Sequence, residues 1–212
     1  MQKKLALIVL AGAGLAAGPG VGDAAGQAQT HIGHIMESFP RAPEGAGLLS
    51  VATSEAEVAA QHAELAGGDR TDVGPMVRHA RHVLHAIDPS RMENGPGAGF
   101  GVKAAADAIA QHIEMAASAD GSPAGVQQHA PHVATAARAV SARADEIAAL
   151  VEQIEATSDY SRAYDMVRQL QQLTAQLVTG ADASGDGQIG LDEGGLDHVR
   201  THMGLMTSSA SR

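Results

Sequence analysis

Apolar residues recur along this chain at helical spacing, and no stretch shows sustained period-two alternation. Helices are predicted over 28–39, over Ser54 to Ala66 with S-E-A-E as a capping box, and from Pro75 to the break at Asp88-Pro89. Further helices are predicted over about 102–119, from Pro123 to about Thr157 with Pro131 near its start, and over about 160–179. The last of these carries Met166, Val167, Leu170, Leu173 and Leu177 on one face. Gly67-Gly68, the Gly/Pro-rich stretch 94–101 and Gly121-Ser122-Pro123 punctuate the pattern. The implied architecture is all-α, an antiparallel helical bundle of duplicated helix pairs joined by short loops.

The polar positions repeat as well. A-Q-H-A-E-L-A around His62 returns as A-Q-H-I-E-M-A around His112, and H-A-R-H-V at His79 and His82 returns as H-A-P-H-V at His129 and His132. Each of these histidines moves by 50 residues, and H-I-G-H-I at His31 and His34 looks like the same start once more. A duplication that keeps imidazoles in register suggests that a binding site was copied.

Residues three apart on a helix lie about 60° apart around its axis, so His79, His82 and His85 share a face, as do His31/His34 and His129/His132. If each H-x-x-H helix pairs with the Q-H helix that follows it, the expected sets are His31, His34, His62 and then His79, His82, His112. His129 and His132 would then complete a neighbouring site. Three imidazole nitrogens suit copper or zinc, with water or a thioether from Met36, Met76 or Met115 as a further ligand. Such a metal would be held for storage, buffering or delivery; an electron-transfer protein carrying a noncovalent bis-histidine b-type haem between Ala/Gly-rich helices is the alternative. Isolated histidines on such faces would be solvated polar residues, and His198 and His202 are read in that way.

Composition narrows the chemistry further. The 212 residues contain no cysteine, which excludes disulfides, thiolate metal sites, iron–sulfur clusters and covalently attached haem. Two Phe, two Tyr and no Trp leave alanine to supply much of the apolar surface, so the core should be thin or completed by bound ions. The formal charge of −10 makes nucleic acid an improbable partner. Lys3 and Lys4 precede an apolar run over 5–17 and a Gly/Ala-rich stretch, the pattern of a signal peptide cleaved near Ala24 or Ala28. Export to the periplasm or beyond is therefore expected, with no transmembrane segment after cleavage. Three segments follow: a signal over 1–28, a His-rich bundle over 29–157, and a C-terminal part over 158–212.

Residues 182–193 read D-A-S-G-D-G-Q-I-G-L-D-E. This resembles the EF-hand calcium loop, with Asp182, Ser184, Asp186, the Gln188 carbonyl and Glu193 at ligand positions and Gly187 at the sharp turn. The resemblance implies bound calcium between the helix ending near Thr179 and a second one over 191–206. A single loop of this kind points to a structural clamp, a cryptic second loop or a homodimer contact. No nucleophile motif, phosphate loop or H-E-x-x-H is present, so a binding protein rather than an enzyme is expected, with metal ions and a redox or metal-delivery protein as partners. A structural helical module using calcium alone is the third reading.

Overall fold

The computed structural model describes residues 21–68 and 72–209. Among them the structure is all-helical: α1 (Val21–Met36), α2 (Leu48–Ala66), α3 (Val73–Ile87), α4 (Val102–Ser118), α5 (Ala124–Glu155), α6 (Tyr160–Thr179) and α7 (Leu196–Ser209). Two single 3₁₀ turns, Pro43–Gly45 and Pro89–Arg91, shape the connections. Most of the signal-peptide reading falls on residues 1–20, outside the described residues. Ala28, near the expected cleavage point, lies within α1 and is buried.

Asp72 caps α3 through Gly74 N at 3.1 Å, and Asp159 caps α6 through Arg162 N at 3.1 Å, each side chain satisfying an amide the helix leaves open. The expected cap at Ser54 is not used, because α2 starts six residues earlier at Leu48. Gly47 provides the N-terminus there, packed so closely on the end of α1 that a Cβ would meet the Met36 carbonyl carbon at 2.6 Å. Leu48, Leu49, Val51 and Ala52 are all buried, so this extra turn is held by packing rather than by a capping signal.

The released Glu55 has another role. It is buried, and its Oε1 accepts the amides of Phe100 (3.0 Å) and Gly101 (3.3 Å), fixing the 94–101 loop to α2. Gly97, at φ 105°, passes so close to the Glu55 carboxylate that no side chain fits.

The helices run antiparallel where ion pairs mark their register. Lys103 at the start of α4 reaches Asp145 of α5 at 2.9 Å, and Glu114 further along α4 pairs with Arg138, earlier in α5. Against the other side of α5, Gly194 and His198 lie near Ala136, while His202 lies near His132 and His129, so α7 is antiparallel to α5 as well. Pro131 sits in the first turns of α5 and is accommodated without ending it. Alanine fills much of the shared core, between larger anchors such as Ile35, Met76, Ile109, Ile113, Ile147 and Leu170. No helix is long and apolar enough to cross a membrane among the described residues.

Replacing Glu55 by Ala strands two backbone amides in the interior. The expected loss is about 2–3 kcal/mol, read as a lower urea midpoint with unchanged slope. An unshifted midpoint would mean that the loop does not depend on this anchor.

Candidate metal centres

Each H-x-x-H pair lies on an odd-numbered helix of the first five, with its partner histidine on another helix. The structure assembles three clusters: His31, His34 and His112 between α1 and α4; His62, His79 and His82 between α2 and α3; and His129, His132 and His202 between α5 and α7. This corrects the expected sets. His62 joins the helix after it rather than the one before, because α2 and α3 meet as sequence neighbours across a short connection, whereas α1 docks on α4. His112 thereby goes to His31 and His34, leaving units one and two with exchanged third ligands.

His202 was read as a solvated residue, and the structure overturns that reading by making it the third member beside His129 and His132. Its signal lay in the residues that follow it. His62 precedes Ala63 and Ala66, His112 precedes Ile113 and Ala116, and His202 precedes Met203 and Met206, all buried. That i, i+1, i+4 pattern marks a histidine at the edge of a packed face.

The three clusters share one geometry. In each, the second histidine of H-x-x-H stands edge-on to the lone histidine, with ring centroids 4.8 Å apart for His34–His112, 4.7 Å for His82–His62 and 4.6 Å for His132–His202. The first histidine of each pair is less steeply inclined, at 5.1 Å for His31–His112, 5.4 Å for His79–His62 and 5.4 Å for His129–His202.

The Nδ1 atoms converge. His31 and His112 approach to 2.9 Å, His62 and His79 to 3.1 Å, His82 and His62 to 3.3 Å, and His202 lies 3.2 Å from His129 and 3.3 Å from His132. The buried Nδ1 of His34 has no hydrogen-bond partner, an orphan left for the first cluster. A shared proton can link one pair of such nitrogens, but three facing lone pairs repel unless a cation sits among them. In a tetrahedral site with metal–nitrogen bonds of about 2.0–2.1 Å, the ligand atoms stand about 3.3–3.4 Å apart, close to these separations. Nδ1 atoms this near leave no gap for a tetrapyrrole between them.

Surroundings differ between the sites. Phe39 packs edge-on against both His34 (5.5 Å) and His112 (5.4 Å), with Arg41 over its far face at 5.2 Å, so the first site has an aromatic wall. Beneath each pair run buried residues: Ile32 and Ile35, Ala80 and Val83, Ala130 and Val133. All nine rings are themselves half-buried.

Burial holds His31, His62, His79, His82, His112 and His202 below the ordinary 6.5. Neighbouring positive charge adds to this, from His34 on His31, from His82 and His79 on His62, and from Arg78 on His82. The cluster imidazoles so affected are biased toward the neutral, ligating form.

The remaining candidates fall elsewhere. His85 is buried apart from the clusters, its Nδ1–H donating to the Met92 carbonyl at 2.5 Å. Met76 is core, and Met36 lies in a groove with Leu49, Thr53 and Arg200. Met115, three residues after His112, remains partly exposed.

In the 182–193 loop, Asp182 gathers the amides of Gly185 (2.7 Å), Asp186 (3.1 Å) and Gly187 (2.8 Å), with Gly187 at φ 83°. Glu193 reaches back across the loop to Ser184 N (2.6 Å) and also accepts Gly190 N (2.8 Å). These amides hold both carboxyls below their usual range, that of Gly187 foremost for Asp182 and that of Gly190 for Glu193. Asp186 instead accepts Gln188 N at 2.8 Å. The second flanking helix starts at Leu196, later than expected, because Gly194 and Gly195 first pass through a tight gap. Gly195 there abuts the Val178 carbonyl and Gly180 N with no room for a Cβ.

Compared with known protein families, curated proteins and solved structures, the chain matches none of them.

Linkage sets the pH response of the metal-free protein. The unfolded chain takes up protons near 6.5 before the folded one does, so stability is full above that pH and declines as pH falls, until the lowered folded-state values are passed. Thermal midpoints of apo protein should therefore drop between about pH 7 and pH 5. A midpoint that rises across that interval would contradict the burial of these rings.

Proposed function

We propose that this chain is an exported metal-handling protein that holds three transition-metal ions, copper or zinc, for buffering or delivery. The observation that carries the reading is the threefold recurrence of one constellation, an H-x-x-H pair and a lone histidine with converging Nδ1 atoms. Nitrogen-only donor sets suit borderline divalent ions, and cysteine, which would bind them more permanently, is absent from the chain. Half-buried rings near the surface favour exchange over permanent structural storage, since a structural zinc site is ordinarily a closed four-ligand one. A partner that accepts or supplies the ion belongs to this reading, as does export, which rests on the N-terminal sequence pattern.

Calcium at 182–193 is the second part of the proposal. It rests on the sequence register of Asp182, Ser184, Asp186, Gln188 and Glu193, and on the inward reach of Glu193 across the loop. The hard ion would take oxygens that now accept internal amides, tying α6 to α7.

Elemental analysis after zinc loading and desalting is expected to give three ions per chain. His62→Ala, His112→Ala and His202→Ala should each give two, and the double variant His62→Ala/His112→Ala should give one, with His202 still serving the third site. Unchanged stoichiometry in the single variants would refute the cluster assignment. For the loop, Glu193→Gln should weaken calcium binding by at least about tenfold in calorimetry while zinc uptake at the first two sites stays intact. Equal calcium binding in wild type and variant would remove calcium from the proposal.

A further inference from the structure

Ligation through Nδ1 has a consequence at the other ring nitrogen. Among the described residues no hydrogen bond is made by an Nε2 of the nine clustered histidines, and none of these atoms is both buried and unpaired. Metal-bound imidazoles ordinarily donate their second N–H to a carboxylate, carbonyl or water, which fixes the tautomer and strengthens the ligand. Here the protein supplies no such acceptor, so the acceptor has to come from outside.

At the second site the surroundings select what that acceptor is. A cavity of about 350 Å³ adjoins His82, lined also by Gly74, Val77, Arg78, Arg81 and Met92. On α3, residues 74, 78, 81 and 82 fall on one side of the helix, and His82 sits between this cavity and the cluster formed with His62 and His79. Arg81 uses its Nε for Glu155 at 3.2 Å, which leaves its terminal nitrogens for another acceptor. Arg78 is exposed and makes no ion pair among the described residues. Two guanidinium groups on one cavity are a local exception in a chain of net charge −10. The other sites lack this arrangement, since Arg41 stacks on Phe39 and Arg200 is engaged by Asp197 and Thr53.

We propose that the metal-loaded second site binds a small oxyanion of the phosphate class in this cavity, held by Arg78 and Arg81 and by the Nε2–H of His82. Metal at Nδ1 fixes the His82 proton on Nε2, where it can be donated to the anion, and the anion in turn makes His82 a stronger ligand. Anion and metal therefore bind cooperatively, and by linkage each tightens the other by the same factor. This inference rests on the metal reading of the His62, His79 and His82 cluster.

The test uses the full chain carrying His112→Ala and His202→Ala, which retains only this cluster, with its helicity checked against wild type. Zinc affinity is measured first, in buffer free of phosphate. Inorganic phosphate is then titrated into zinc-loaded and metal-free protein, followed by phosphorus NMR, with chloride at equal ionic strength as the control. The expected result is saturable binding of one phosphate to the zinc form, weaker by at least tenfold in the metal-free form and in Arg78→Gln. Arg78→Gln should still take up one zinc ion at this cluster in phosphate-free buffer. Should the double variant lose helicity, the same comparison is made between wild type and Arg78→Gln, both loaded with three zinc ions. No zinc uptake at this cluster would overturn the metal reading itself. Zinc uptake with phosphate binding equal in the metal-free protein, retained in Arg78→Gln or abolished by chloride would overturn the anion site alone.

Discussion

Direct packing of helix on helix is the constraint on which the rest of this structure depends. An imidazole reaches only a short distance from its backbone when it coordinates through Nδ1, so three can meet only if the helices bearing them pack directly against one another. Ala63, Ala66 and Ala80 beside the second cluster, and Ala130 beside the third, are buried while contributing little apolar area of their own, whereas Ile32, Ile35 and Ile113 pack beside the first. Ions bound at the clusters would be a natural source of the stability that an alanine-rich core does not give.

Much of this was legible from sequence. The helices bearing Met76 to His85, His112, His129 and Met166 lie where periodicity and the Gly/Pro breaks put them, because those segments have strong local stop signals. Every H-x-x-H pair also converges as helical spacing demands. What sequence did not disclose was which lone histidine each pair would meet. Spacing within a helix is a local property, whereas the pairing of α1 with α4 is decided by how whole helices pack. His202 reads as a solvated residue in the sequence because it stands apart from the 50-residue repeat, in the helix after the acidic loop. Ser54 misled for the opposite reason. Its capping signature is genuine as a pattern, yet burial of Leu48 to Ala52 outweighs the roughly 1 kcal/mol that a cap contributes.

The two kinds of proposed site occupy one molecule without sharing ligands. Hard oxygen donors are confined to the loop between α6 and α7, and nitrogen donors to the helix interfaces. Segregation by donor type would let calcium and a borderline metal coexist at very different free concentrations without displacing one another. α7 belongs to both, since its first turn follows Glu193 closely and its middle carries His202.

The exchange of third ligands between the first two units also gives the sites unequal leverage over the chain. His31 and His112 are 81 residues apart and His129 and His202 are 73, whereas His62 and His79 are separated by only 17. Treated as reversible cross-links on a flexible polymer, the longer closures remove more freedom from the unfolded chain, by roughly 1.4 kcal/mol for an 81-residue loop over a 17-residue one. Ions of equal intrinsic affinity would therefore be unequal staples. Those at the first and third sites would lock distant segments of the bundle together, and the one at the second would merely fasten a hairpin and could leave with little consequence for the fold.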